Sequence, residues 1–307
     1  MTQASTNPTS RTQHRYLKVE DLRRLQHLFF ASKRAVEGHY AGRHASPQRG
    51  HSVEFNDYRE YTPGDEIGDI DWKVFGRSDR LFIKLFEHQS DMTVNLLVDG
   101  SGSMGYPGPK QHRKWDQACM LAAAIGFLTV RQQDRVSFGV ARRGLAEFHR
   151  PAGGAGHLNN ILRSMEEVTP TGEAQLPDAL KAMARQTTRK GLLVLLSDLM
   201  DDAEPVLRAL SLFTHRGNEV ILLHVLHADE FDLPADPAAV FVDSETQARL
   251  RININDIREQ YRQRLQHYLD GWQAACRARG MDYRLVSTAQ PYHEVLAGYL
   301  FTRASLV

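Results

Sequence analysis

From Met92 onward, short apolar runs alternate with segments of helical periodicity, and this rhythm constrains the fold more than any other feature of the chain. The runs predict strands at residues 93–98, 136–141, 192–197, 219–227 and 282–287, with an edge strand near 146–149. Helices are predicted at 114–132, 158–167, 177–186, 203–215, 256–280 and 292–300. Buried strands separated by helices are typical of a mostly parallel sheet that is covered on both faces. We therefore predict a doubly wound α/β fold.

The chain divides into three predicted parts. Its first residues are rich in Thr, Ser, Asn and Gln and lack an apolar core, which indicates disorder. The next segment joins a helical pattern at 19–37 to alternating strands around a Pro-Gly-Asp turn. The parts are a disordered tail at 1–14, an N-terminal α+β module at 15–90, and an α/β domain at 91–307 with a β-hairpin insertion near 228–255.

Composition excludes several classes of protein. With 42% hydrophobic and 24% charged residues among 307, the chain can bury a core. Its net charge of +1 gives no electrostatic case for binding nucleic acid or an anionic membrane surface. No apolar run approaches the ~18 residues of a membrane span. Two cysteines and no secretory signal predict a reducing compartment, so we expect a cytoplasmic protein without membrane insertion.

Two of the buried runs are followed by an aspartate. The first, LLVDGSGSMG, carries Asp99, Ser101 and Ser103, and the second, LLVLLSD, ends at Asp198. If the two strands are neighbours where the strand order reverses, both carboxylates meet in one crevice. Close carboxylates repel each other, a cation relieves that repulsion, and carboxylate and hydroxyl oxygens suit Mg²⁺, Mn²⁺ or Ca²⁺. We therefore expect these four residues to form a divalent-metal site.

Two motifs carry a family resemblance. DGSGS resembles the Asp-x-Ser-x-Ser signature of the metal-ion-dependent adhesion site in von Willebrand factor A-like domains, with Asp198 at the distal acidic position. The block EFNDYREYTPGDEIGDIDWKVFGRSDRLFIKLFE and the tail CRARGMDYRLVSTAQPYHEVLAGYL are similar to a bacterial family known as domain of unknown function 58. The matching residues of the block are Tyr61, Gly64, Asp65, Asp69, Asp71 and Trp72. Together the likenesses cover nearly everything after the first fifteen residues.

The resemblance implies a von Willebrand A-type fold and metal-assisted protein binding, in which a partner's Asp or Glu fills an open position on the ion. It also implies a MoxR-type AAA+ ATPase as the partner, in chaperone-like assembly. The chain departs from the family at two places. Gly68 stands where members usually carry Arg, and GEAQL places Ala174 where the site usually has a Thr, with Thr171 and Thr169 nearby but out of register. On that register a water replaces the missing hydroxyl, and Ala174→Thr is expected to restore it.

Several of these residues also have a purely structural interpretation. The DGSGS segment would suit a polar turn or helix cap, and Asp198 a strand-end turn. The loop at 105–114 is basic and either solvated or suited to an acidic partner. We interpret Asp201 and Asp202 as charges at a helix N-terminus, the acidic turn from Asp65 to Asp71 as a structural turn against Trp72, and Cys119 and Cys276 as small buried residues. His39, His44 and His51 are spaced too irregularly to predict a zinc site.

Three functions therefore remain open. The first is a metal-dependent protein-binding module, and the second is a structural scaffold with a decayed metal site. The third is a phosphatase-like hydrolase, because haloacid-dehalogenase-like enzymes also present an Asp after an apolar strand. Those enzymes need a second Asp two residues later, where this chain has Ser101. Neither a Gly-x-Ser-x-Gly elbow nor a P-loop is present, so we expect no enzymatic turnover.

Overall fold

A computed structural model of the chain describes residues 14–25, 28, 53–61, 72–78, 80–88, 92–108, 111–187, 189–233, 238–242 and 249–305. Several predictions fall outside these residues. They concern the tail before His14, the three loop histidines, and the acidic turn with Gly68. The described residues group into two compact units, one within 37–91 and a larger one formed by 1–36 together with 92–307.

The larger unit holds a six-stranded sheet. Its strands are β3 (Thr93–Asp99), β4 (Arg135–Ala141), β5 (Leu145–Ala152), β6 (Gly191–Ser197), β7 (Glu219–Leu226) and β10 (Asp282–Ser287), in the order β10-β7-β6-β3-β4-β5. All neighbours are parallel except β4 and β5. From β3 the chain continues to β4 on one side and later reaches β6 on the other. The strand order thus reverses between β3 and β6, where an α/β sheet of this kind opens a crevice.

Helices cover both faces of this sheet. They are α3 (Lys114–Arg131), α4 (Ala155–Glu167), α5 (Leu176–Gln186), α6 (Ala203–His215), α7 (Ala228–Phe231), α8 (Ile254–Ala278) and α9 (Tyr292–Ser305). Successive side chains of a strand point to opposite faces. Leu96 accordingly packs in one apolar cluster with α3, α4 and α9, and Leu97 in a second cluster with α5, α6 and α8. The predicted doubly wound, mostly parallel α/β class is confirmed.

The predicted hairpin insertion is present as β8 (Ala238–Val242) and β9 (Arg249–Asn253), which pair antiparallel. The helix α8 begins two residues before its predicted start, because the Asn253 side chain accepts a hydrogen bond from the Asn255 N–H and caps the helix. No helix of the described ranges is long and apolar enough to cross a membrane.

The smaller unit contains β1 (Val53–Glu60) and β2 (Phe82–His88), which pair antiparallel, and a helix α2 (Trp72–Ser78) between them. The strands agree with the prediction, but α2 was not predicted. Its seven residues are too few to display a helical period, and Gly76 within them favours a turn on propensity.

The N-terminal segment was assigned to the wrong part of the chain. We placed residues 15–90 in one module, but the helix α1 (Val19–Leu25) and the residues before it group with the larger unit. The Tyr16 hydroxyl donates to Asp116 Oδ1 at 3.0 Å, and Arg24 Nη1 lies 3.1 Å from His293 Nε2. The periodicity of a helical sequence indicates that the helix has an apolar face, but it does not indicate which unit that face packs against.

Candidate functional site

Neighbouring strands bring the first predicted carboxylate to the edge of the sheet. Val98 of β3 pairs with Leu196 of β6. Asp99 therefore meets Ser197, whose hydroxyl donates to Asp99 Oδ2 at 2.5 Å. The other carboxylate oxygen accepts a hydrogen bond from the Ser101 N–H at 2.9 Å. Asp99 is thus held from two sides and is only 2% exposed.

The surroundings of Asp99 disfavour the ionised form of its carboxyl group. Burial, followed by the nearby Asp198 carboxylate, raises the pKa of Asp99 to about 7, although hydrogen bonds from Ser197 and Ser101 act in the opposite direction. The effect of Asp198 on Asp99 indicates that the two carboxyl groups lie near each other. Two carboxylates that repel each other in a buried place favour a cation between them.

The serines of DGSGS lie side by side. Ser101 Oγ and Ser103 Oγ are 3.0 Å apart, at the start of a short 3-10 helix, Gly102–Gly105. Ser101 occupies the N-cap position of that helix without a side-chain capping bond, so the capping interpretation does not describe its hydroxyl. The two hydroxyls lie beside each other, and Ser101 also contacts Asp99.

A second loop holds this segment in place. The Gly102 N–H donates to the Gly172 carbonyl at 2.7 Å, and the Thr171 N–H donates to the Gly100 carbonyl at 3.0 Å. The backbone that meets the DGSGS loop therefore belongs to Thr171 and Gly172. Ala174 is 4% exposed and packs in the apolar cluster that contains Leu97. This arrangement favours Thr171 over position 174 as the source of a further hydroxyl.

Asp198 has a partner that the sequence did not indicate. Lys114 is the first residue of α3, and its Nζ lies 2.8 Å from Asp198 Oδ2 and 2.6 Å from Glu230 Oε1. The lysine side chain is 1% exposed, as is that of Asp198. Burial alone would lower the pKa of Lys114, but the two carboxylates raise it above its ordinary value. The sequence places Lys114 at the end of a basic loop and the start of a helix, and no local pattern links it to residues 84 and 116 positions away.

The two remaining acids of this edge have different roles. Asp201 was interpreted as a charge at a helix N-terminus, but its Oδ2 accepts the Leu176 N–H at 2.7 Å and so anchors the start of α5. Asp202 does occupy the N-cap position of α6, although its side chain makes no capping bond. Among the hydrogen bonds of the described residues, none joins Asp201 or Asp202 to Ser101 or Ser103. Cys119 and Cys276 are free and buried, as expected.

The residues present fit a hard divalent cation. The donor set is two carboxylates and two hydroxyls, which suits Mg²⁺, Mn²⁺ or Ca²⁺. Asp198 Oδ1 is buried and has no hydrogen-bond partner within the part of the chain that the structure describes, which is costly for a carboxylate oxygen unless something else pairs with it. No group of three or more His, Cys, Asp or Glu side chains within the described ranges could hold a metal, so a site here depends on the hydroxyls.

The sequence matches the family described as "Protein of unknown function DUF58" over residues 57–268, which is more than half of the chain. Among curated proteins it is similar to "Uncharacterized protein Rv1480" of Mycobacterium tuberculosis and "Uncharacterized protein Mb1516" of Mycobacterium bovis. Each is 29% identical over 228 residues, which cover 72% of this chain and 70% of the relative.

Solved structures are similar at lower identity. The conserved hypothetical protein BatB from Bacteroides thetaiotaomicron is 14% identical and has a TM-score of 0.46, with 70% of this chain and 99% of that chain covered. The SpRpn10 VWA domain is 12% identical and has a TM-score of 0.41, with 67% and 94% covered.

Proposed function

The chain belongs to the DUF58 family, and we propose that it is a protein-interaction module that takes a divalent cation at the carboxyl edge of its sheet and through it engages a carboxylate of a partner protein. One observation carries the proposal. At the reversal of strand order Asp99 lies near Asp198, and one buried oxygen of Asp198 has no hydrogen-bond partner among the described residues.

In this proposal the four residues hold the ion, and the ion supplies a positive charge with an open position for a further oxygen ligand. The side chains of the chain itself do the positioning. Ser197 and the Ser101 N–H fix the orientation of Asp99, and the contact between the DGSGS loop and Thr171–Gly172 fixes the serine pair. Preorganised ligands lose little conformational entropy on binding, so the edge can bind an ion without refolding.

We further propose that the partner is a MoxR-type AAA+ ATPase, with which the protein acts in chaperone-like assembly in the cytoplasm. The family resemblance supports this. Affinity capture from the native host, with and without a chelator, tests it. We expect the ATPase to be captured in Mg²⁺ and lost in the chelator. Capture that is equal in both conditions, or unchanged by Asp198→Asn, would contradict the metal-dependent mode.

We also propose that the protein has no turnover of its own. The support is in the sequence, which has Ser101 where haloacid-dehalogenase-like enzymes need a second Asp and contains neither a Gly-x-Ser-x-Gly elbow nor a P-loop. The check is hydrolysis of an aryl phosphate in Mg²⁺. We expect background rates, and robust hydrolysis that disappears in Asp99→Ala would make that carboxylate catalytic.

A structural scaffold is the second candidate, and two observations favour it. The Lys114 ammonium already neutralises part of the charge of Asp198, and Ala174 offers no hydroxyl. Titration calorimetry separates the two functions, since a scaffold binds no Mg²⁺ or Mn²⁺ at millimolar concentration.

A further inference from the structure

Lys114 lies in a position that its helix does not favour. It is the first residue of α3, where the helix dipole is positive and a cation is disfavoured. Its side chain is also almost entirely buried, and a buried ammonium without partners is strongly destabilising. The contacts with Asp198 and Glu230 are therefore what holds the ammonium in this place.

Glu230 is itself fixed by other parts of the fold. Its Oε2 accepts the His227 N–H at 2.6 Å, and its backbone carbonyl accepts the Tyr261 hydroxyl of α8 at 2.6 Å. The carboxylate therefore remains where it can share the ammonium with Asp198. Two carboxylates, those of Asp198 and Glu230, contact the one ammonium, and Asp99 lies near Asp198. The three acids and the lysine together carry a net charge of −2 when all are ionised.

We propose that Lys114 is a built-in counter-ion that competes with the divalent cation for Asp198, and that Glu230 relieves this competition by sharing the ammonium. The proposal rests on the metal site proposed above. It assigns Lys114 and Glu230 as positioning residues that set the affinity of the site, although neither binds the ion. The lysine keeps the edge folded when no ion is bound, at the expense of affinity when one is.

The mechanism predicts opposite effects for the two residues. In Lys114→Met the cluster loses its positive charge, so we expect Mg²⁺ and Mn²⁺ to bind about tenfold tighter or more, while the metal-free protein melts at a lower temperature. In Glu230→Gln the ammonium serves Asp198 alone, and we expect binding to weaken about threefold to tenfold. The double variant has the net charge of the native cluster, and its affinity should return toward the native value.

Titration calorimetry with MgCl₂ and MnCl₂ on the full chain measures these affinities, and thermal unfolding in a chelator measures the metal-free stability. Lys181→Met is the matched control, because Lys181 is half exposed and pairs only with Asp178 among the contacts described for it. Its affinity should equal that of the native protein. A purely structural role for Lys114 would lower the melting temperature without moving affinity in opposite directions in the two variants.

The outcomes separate this inference from the proposed function. If the native chain binds metal and Lys114→Met binds it equally or more weakly, the inference is wrong and the metal site stands. If the native chain binds none and Lys114→Met does, the inference holds and the native metal function fails. If neither binds, both fail. Should Lys114→Met not fold, Glu230→Gln decides alone, since unchanged or tighter binding there overturns the competition.

Discussion

At the scale of single residues, the two carboxylates of the edge are stabilised by different means. Asp99 accepts hydrogen bonds from neutral donors, the Ser197 hydroxyl and the Ser101 N–H. Asp198 is paired with the Lys114 ammonium through one oxygen, and its other oxygen has no hydrogen-bond partner among the residues that the structure describes. Hydrogen bonds therefore offset part of the unfavourable burial of charge at Asp99, and a counter-charge does so at Asp198.

The first prediction concerns the missing hydroxyl. Since the Thr171 backbone contacts the DGSGS loop and Ala174 packs among apolar residues, we expect Thr171→Ala to weaken Mg²⁺ binding about threefold to tenfold. Ala174→Thr should leave the affinity unchanged and lower stability, because it buries a hydroxyl in an apolar cluster. Calorimetry measures both, with Thr169→Ala as a control that is expected to be neutral. Tighter binding in Ala174→Thr would contradict this and would support position 174 as the place of the missing hydroxyl, as expected from the sequence.

The second prediction concerns the tight approach of Gly100 to β4. A Cβ at this position would lie 2.6 Å from Val140 Cγ1, and the valine is stiff at χ1. We expect Gly100→Ala to lower the free energy of unfolding by about 1–3 kcal/mol, as overpacking does. Chemical denaturation measures this. Gly156→Ala in α4 is the control, because nothing lies within 4 Å of its Cβ position and alanine favours a helix; equal stability of the two variants would contradict the argument.

At the scale of elements, the N-terminus of α3 serves two parts of the larger unit. Lys114 reaches the edge of the sheet, and Asp116 in the same turn holds the N-terminal segment. Arg113 donates to Asp116 from its backbone and its guanidinium, and Arg15 and Tyr16 donate to Asp116 Oδ1. A single turn of helix thus links the segment before α1 to the candidate site.

The third prediction follows from the charge of Asp116. Burial would raise its pKa, but hydrogen bonds and the positive charge of Arg113, with Arg15, lower the pKa below its ordinary value. A carboxyl whose pKa is lower in the folded state stabilises the fold above the unfolded pKa of about 4, and this contribution is lost as the pH falls through the folded value. We therefore expect Asp116→Asn to be less stable by about 1.5–3 kcal/mol at neutral pH, with the difference shrinking below about pH 4.

Denaturation curves from pH 7 to acid check this expectation. Asp178→Asn is the matched control, since that exposed carboxylate pairs with Lys181 on the surface and should change stability little. If Asp116→Asn lowered the free energy of unfolding by the same amount at every pH, the shape of the Asp116 side chain, and not its charge, would be what stabilises the fold.

At the scale of the whole molecule, the edge joins elements that are distant along the chain. Asp99 follows β3, Asp198 follows β6, Lys114 begins α3, and Glu230 lies in α7. An ion bound there would contact ligands from two strand ends at once and would be absent from the unfolded chain. Binding to the folded state alone stabilises a protein in proportion to the logarithm of ligand concentration.

The fourth prediction uses this linkage. With Mg²⁺ or Mn²⁺ at about 100 times its dissociation constant, we expect a gain of about 2.7 kcal/mol in the free energy of unfolding, reversed by a chelator. Asp198→Asn should remove the gain, because it takes away one of the two carboxylates. Thermal unfolding with and without metal measures both. A gain of the same size in Asp198→Asn would place the ion elsewhere.

Local patterns along the chain were enough to predict the strands, most helix bounds and the edge of the sheet to which Asp99 and Asp198 belong. They were enough because strands that are buried on both faces have continuous apolar sequences. In addition, the carboxyl ends of parallel strands lie at the same edge of the sheet. The α6 helix, Ala203–His215, was predicted at both of its ends, since its apolar face repeats over three turns. The seven residues of α2 offered no such repeat.

Tertiary structure alone decided the charges around the site and the place of the N-terminal segment. Lys114 meets Asp198 across 84 positions and Glu230 across 116, and Tyr16 meets Asp116 across 100. A buried ammonium has the same sequence signature as an exposed one, because its burial depends on which carboxylates the packing of the sheet and helices brings to it. The periodicity of the sequence indicates that a residue is buried, whereas the strand order determines which residues lie next to it.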